Sequence, residues 1–205
     1  MRKKNYDEYE YIDFDSKYVY PNTNVLINTF EITDPVDLAK TEHLVVNQRW
    51  LELMRAPIIV KSMYDIKRIH AHLFLDLYAW AGDYREVNIS KEGKPFMALQ
   101  SFGTGACYLD SLIIDFLENA NTRSEIIFHL ARILDNLNYM HTFREGNGRT
   151  QREVIRSLGL SKGYHANIQV TADEEIYHLY MDGVVNSRID LLEQLFDKIL
   201  IKIEK

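Results

Sequence analysis

One segment concentrates residues able to do chemistry: His141-Thr-Phe-Arg-Glu-Gly-Asn-Gly-Arg-Thr-Gln-Arg152. Gly146 and Gly148 flank Asn147, and these residue types tolerate left-handed backbone, so successive amides can converge on one point as an anion nest. Arg149 and Arg152 share a face of any helix that starts here, close to the positive end of its dipole. Two guanidinium groups beside a nest suit a polyphosphate, because each can grip a pair of oxygens. Glu145 would repel phosphate unless a divalent cation joins the two, and Mg2+ commonly takes one carboxylate plus substrate phosphate oxygens. His141 is the nearby side chain that exchanges a proton near neutral pH. Taken singly, each feature has a plainer use: a turn for the glycines, a solvated face for the arginines, a structural contact for the histidine. Their joint occurrence in one short segment is harder to explain that way. The pattern is neither a Walker A loop, which needs Gly-Lys before Ser or Thr, nor an HExxH zinc site.

The flanking sequence supplies elements to position this segment. Ile126, Ile127, Leu130, Ile133, Leu134 and Leu137 recur at helical spacing behind a Thr122/Glu125 capping box, and Val154, Ile155 and Leu158 follow the motif. The segment therefore reads as a tight loop between two helices. Asp34-Pro35 is an N-cap with a first-turn proline, opening a helix through about Leu53. Ser62 is a candidate cap for a helix from Tyr64 towards Tyr78. Thr171 and Glu174 form a second capping-box signal before a helix through Tyr180. Leu191, Leu192, Leu195, Phe196, Ile199, Leu200 and Ile203 predict a C-terminal helix. Arg85 to Ala98 instead alternates apolar and polar residues around Glu92-Gly93, which predicts a short β-hairpin. The expected fold is a mostly α bundle with one hairpin, formed by residues 18–205 as a single domain behind an arm of residues 1–17.

Composition narrows the class. The 205 residues carry 24 Lys+Arg and 30 Asp+Glu, a net charge of −6, with 46% apolar and 26% charged residues. This is the balance of an ordinary soluble globule of about one domain. An acidic chain argues against general nucleic-acid binding. The one cysteine, Cys107, excludes an internal disulfide framework and fits a reducing compartment. The first residues lack the apolar stretch of a secretory signal, and no run is long enough for a membrane span. A cytoplasmic protein is expected.

The motif resembles the signature of the Fic domain, H-P-F-x-(D/E)-G-N-G-R-x-x-R, with Thr142 in place of the usual proline. Ile69-His70…Leu73-Phe74 and Trp80-Ala-Gly82 are similar to Fic segments ahead of its hairpin flap, and Tyr18-Val-Tyr-Pro21 is similar to the entry strand of short bacterial Fic toxins. The resemblance implies a Fic-fold helical bundle that transfers AMP from ATP to a hydroxyl (Tyr, Ser or Thr) of a target protein and releases pyrophosphate. It implies His141 as general base and Glu145 as the Mg2+ ligand. Gly146, Asn147 and Gly148 would form the anion hole, with Asn147 also on the α-phosphate. Arg149 would hold the β-phosphate and Arg152 the γ-phosphate. Tyr177 is expected to line the adenine pocket, and the flap residues Lys94, Pro95 and Phe96 to dock the target by strand addition.

The phosphorylating branch of the family, Doc, lacks the second glycine and the second arginine, so their presence here favours AMP transfer. The inhibitory pattern (S/T)xxxE(G/N) of many Fic proteins is missing, because Glu92, Glu118 and Glu145 have Asn88, Ile114 and His141 four positions earlier. The resemblance then implies a separate small antitoxin whose glutamate engages Arg152, and targets among type II topoisomerases, DNA gyrase and topoisomerase IV. The alternatives are a Fic-fold transferase of another group (phosphoryl or another nucleotide), removal of AMP, or a catalytically silent anion-binding module, since residues 141–156 hold four Arg against two Glu.

Overall fold

The computed structural model describes residues 10–11, 17–91, 93–170 and 173–204. Most of the expected N-terminal arm, Glu92 and Thr171 lie outside them. A short strand β1 (Glu10–Tyr11) pairs antiparallel with β2 (Ile89–Lys91), which pairs with β3 (Lys94–Pro95). This is the expected hairpin, widened to a three-stranded sheet in which β3 is an edge.

Helix α1 (Pro35–Arg55) starts where Asp34 Oδ1 accepts the amides of Val36 and Asp37, with Pro35 in the first turn. Helix α2 (Met63–Phe74) is shorter than the Tyr64–Tyr78 expectation. The chain turns after Phe74 because it must fold back on the helix: Tyr78 stacks on Trp80 at 4.7 Å, and a Cβ on Gly82 would come within 2.9 Å of the Ala71 Cβ. Helix α3 (Phe102–Asn119), which the periodicity did not announce, leads into α4 (Arg123–Met140). The Thr122/Glu125 capping box in front of α4 is present in both directions. Helix α5 (Asn147–Ser161) follows the motif loop.

Two corrections concern the C-terminal part. Helix α6 (Glu174–Val185) has Asp173 as its N-cap, whose carboxylate accepts from the Glu175 and Ile176 amides, and it runs past the expected end at Tyr180. Helix α7 (Ile189–Ile199) stops before Leu200, and Leu200–Lys202 forms strand β5 against β4 (Tyr164–Ala166). Leu200 and Ile203 keep the apolar spacing of a helix, but the exposed edge of β4 offers backbone partners that a further helical turn would forgo.

Helix α4 lies at the centre. Leu130, Ala131, Ile133 and Leu134 are fully buried, and the helix packs on α3, α5, α6 and α7. The motif is thereby held between two well-packed helices. A buried ion pair within α5, Arg156 with Glu153, also reaches Leu53 O at 2.8 Å and fastens α5 to the end of α1. Among the described residues, no helix is long and apolar enough to cross a membrane.

Candidate active site

The loop between α4 and α5 is shaped by its own side chains. His141 closes α4 in the left-handed region, φ 44°, and Gly146 opens α5 at φ 78°. Asn147 spans the loop: its carboxamide accepts from Phe143 N at 2.9 Å and donates to Phe143 O at 2.7 Å. The amides of Asn147, Gly148 and Arg149 then occupy the first turn of α5, where no helical carbonyl precedes them to accept.

A second histidine braces the loop from below. His70 stacks on Phe143 at 3.8 Å and on Phe74 at 4.8 Å. The Gly82 amide donates to its Nδ1 at 2.8 Å, so the proton sits on Nε2, which donates to Glu145 O at 3.0 Å. Burial pushes the His70 pKa down to about 3. His141 shows the opposite tautomer. Its Nδ1 lies 3.1 Å from Asn138 O, which can only accept, so Nε2 keeps the lone pair that a general base needs. Burial, with smaller contributions from Arg85 and Lys91, depresses its pKa to about 3 as well.

Both histidines are therefore neutral in the fold, while an unfolded chain would protonate them near pH 6.5. Their contribution to stability is complete above that pH and is lost as the pH falls towards 3, by at most about 1.4 kcal/mol per pH unit for each proton. Urea unfolding midpoints measured from neutral to mildly acidic pH should fall accordingly. His70→Gln should be less stable at neutral pH yet have about half the slope, and an unaltered slope would contradict this account.

Arg85 ties the hairpin to the loop. Its backbone N donates to Thr142 O at 3.0 Å and its Nε to His141 O at 2.8 Å, while the guanidinium tips reach Val87 O and Met97 O, each at 2.6 Å. Phe96 of the flap lies flat on the His141 ring at 3.7 Å. Lys94 Nζ donates to Val185 O at 3.2 Å and Asn186 Oδ1 at 3.0 Å, so the flap tip is fastened to the end of α6. Lys94 and Pro95 are otherwise exposed.

Two clefts meet at the start of α5. The first, about 380 Å³, places His141, Lys94, Pro95, Phe96, Tyr177 and Arg152 around one space, together with Tyr139, Tyr180 and Gly148. The second, about 600 Å³, contains Glu145, Gly146, Arg149 and Glu42, and again Gly148 and Arg152. Arg149 bonds Glu42 at 2.6 Å and lies 3.5 Å from Glu145. Arg152 makes no ion pair among the described residues. Asn147 lines neither cleft, since its side chain is spent on the loop; it could meet an anion through its backbone amide. No group of three or more His, Cys, Asp or Glu side chains able to hold a metal occurs among the described residues. A single carboxylate, Glu145, beside two arginines and a nest fits Mg2+ brought in on a polyphosphate, and not a protein-only metal cage.

The profile of the Fic/DOC family matches residues 62–158. Those residues, the motif among them, belong to that family. It is 34% identical over 153 residues to Protein adenylyltransferase VbhT of Bartonella schoenbuchensis, an alignment covering 72% of this chain and 31% of VbhT. The chain thus spans about a third of that relative. The Probable protein adenylyltransferase Fic of Escherichia coli is 23% identical, with 89% of this chain and 91% of the relative aligned. Among solved structures, the BepC protein of Bartonella tribocorum with bound AMPPNP superposes with a TM-score of 0.78 at 20% identity, covering 92% of this chain and 98% of that one. The N-terminal Fic domain of a Bep effector of Bartonella quintana with bound ADP gives 0.80 at 21% identity, covering 92% and 96%. Over about nine-tenths of the chain the bundle is a Fic fold.

Sequence reasoning missed Glu42, Arg85, Tyr139 and Tyr180 in the Fic site. Tyr180 was findable, being one helical turn from Tyr177. Glu42 and Arg85 carry no local signal, because their roles come from segments far away in the chain.

Proposed function

We propose that this Fic protein is a protein adenylyltransferase that moves AMP from ATP to a hydroxyl of a target protein. The observation that carries the reading is the junction of the two clefts at the nest. An aromatic cleft beside a neutral histidine meets a charged cleft holding Glu145 and Arg149, with Gly148 and Arg152 shared by both. A nucleotide fits across that junction with its base beside Tyr177 and Tyr180 and its phosphates on the first turn of α5. His141 Nε2 takes the proton of the target hydroxyl, whose oxygen attacks the α-phosphorus as the bond to pyrophosphate breaks. Arg149 and Arg152 receive the charge that grows on the leaving pyrophosphate. Glu145 would hold Mg2+, which would supply further neutralisation of the phosphate charge. Phe96 covers the face of His141, which leaves the in-plane Nε2 lone pair as the direction of approach for the hydroxyl.

Residues 18–205 act as one domain in this reading, in the cytoplasm, and the edge of β3 at Lys94–Pro95 accepts the target's backbone by strand addition. The absence of the inhibitory pattern from these 205 residues, and of an ion pair to Arg152 among the described residues, supports control by a small antitoxin that supplies a glutamate to Arg152. DNA gyrase and topoisomerase IV are the proposed targets.

The test is transfer from α-labelled and γ-labelled ATP, in separate reactions with Mg2+, into bacterial lysate. A protein band labelled only from the α-position is expected. A band from the γ-label alone would replace this reading with phosphoryl transfer.

A further inference from the structure

We infer that Glu42, on α1, is a positioning residue for Arg149: it holds the guanidinium away from Glu145 and so keeps the Glu145 carboxylate available to Mg2+ and phosphate. The inference rests on the nucleotide reading above and deepens it.

Arg149 stands between two carboxylates. It is 2.6 Å from Glu42 Oε1 and 3.5 Å from Glu145 Oε1, so Glu42 has the closer grip. The guanidinium lies over the Phe74 ring at 4.7 Å, which limits it to sliding between the two acids. Glu42 is itself fixed, because the Tyr78 hydroxyl donates to its Oε2. Burial and the Glu42 charge both raise the Tyr78 pKa, so this group remains a donor. Burial lowers the Arg149 pKa, but Glu42 and Glu145 outweigh it and the net shift is upward. The contact of Arg156 with Leu53 O joins the C-terminal end of the helix that carries Glu42 to α5.

Without the Glu42 charge, Glu145 becomes the one acid paired with Arg149 among the described residues. Glu145 stands just ahead of α5, four residues before Arg149, and its Oε1 is already within 3.5 Å of the guanidinium. A carboxylate gripped by a guanidinium is a poorer ligand for a hard cation, and supporting groups of this kind change metal affinity by about 10- to 100-fold. Simple electrostatics points the other way: deleting an acid beside a polyphosphate site should tighten nucleotide binding. An autoinhibitory Glu42 that competed with phosphate for Arg149 would have the same sign. The sign of the effect therefore decides.

The experiment is calorimetric titration of ATP into the full chain across a Mg2+ series and in EDTA, for wild type, Glu42→Gln, Glu42→Asp and Tyr78→Phe, with thermal melts to confirm folding. Glu42→Gln should raise the Mg2+ needed for half-maximal ATP binding by about tenfold, with little change in EDTA. Glu42→Asp should restore part of the loss. Tyr78→Phe keeps the charge and removes only the brace, so it should shift the Mg2+ requirement in the same direction by less, and it tests the idea even if Glu42→Gln does not fold. An equal or lower Mg2+ requirement in folded Glu42→Gln, or in Tyr78→Phe alone, overturns the inference while leaving the nucleotide reading intact. Failure of the wild type to bind ATP at any Mg2+ level overturns the nucleotide reading, and this inference with it.

Discussion

Replacing His141 with alanine should reduce transfer of the α-label by a factor on the order of 10² to 10⁴, the range for loss of a general base. ATP affinity should stay within about threefold, since the imidazole accepts a proton and does not hold the phosphates. The split between the two readouts is the informative part. His141 also has structural contacts: it accepts the Arg85 Nε–H through its carbonyl and carries Phe96 on its ring. The carbonyl survives the substitution, whereas the ring contact does not, so the flap should loosen without the loop collapsing. Calorimetry with ATP beside the labelling assay separates these contributions. A parallel collapse of ATP binding would assign His141 a structural role and remove it from the chemistry.

The second large effect is on the loop itself. Gly146→Ala should destabilise the protein by about 2–4 kcal/mol, combining a strained backbone with an overpacked contact. The backbone at Gly146 has φ 78°, and an added Cβ would stand 2.4 Å from Phe74 Cζ. Phe74 is fully buried and stacked on His70, so it has nowhere to go. Relief would have to come from α5, whose first turn is the proposed phosphate site, and ATP binding should be lost together with stability. Gly148→Ala is the control. Its Cβ would meet the tip of Arg152 at 3.4 Å and the Tyr180 hydroxyl at 3.7 Å, both ordinary contacts, so it should fold nearly as well as wild type. Urea unfolding of the two variants checks the contrast, and equal stabilities would refute the packing argument at Gly146.

What could be read from the chain alone follows from local physics. Helix α4 was legible because Thr122 and Glu125 satisfy its first amides within one turn and its apolar residues recur at helical spacing. The start of α1 was legible because Asp34 and Pro35 solve the same problem at neighbouring positions. The hairpin was legible from alternation. The motif was legible because a nest, two arginines, an acid and a histidine are contiguous and one turn of helix suffices to converge them. The structure brings His141, Arg152, Tyr177 and Lys94–Phe96 around one cleft and Glu145, Gly146 and Arg149 around the other, as a reading of the sequence could expect but not demonstrate.

The remainder was decided at long range. Helix α3 begins Phe102-Gly-Thr-Gly without a capping bond, and Met97 packs close over Gly105, where a Cβ would stand 2.5 Å from its Sδ. Such a helix has weak local signals and is held by packing. Leu200–Lys202 has helical spacing and becomes a strand because β4, some thirty-five residues earlier, presents an open edge. Glu42, Tyr78 and Arg85 are unremarkable in their own neighbourhoods. Each acquires a role only when α1, the turn after α2 and the flap are laid beside the loop, where a single short contact such as Glu42 to Arg149 fixes a charge in place. The chain by itself determined which chemistry is possible, since that depends on residue types within one turn. The tertiary structure decided which groups are aimed, neutral or restrained, because burial, tautomer and ion-pair choice depend on neighbours far apart in the chain.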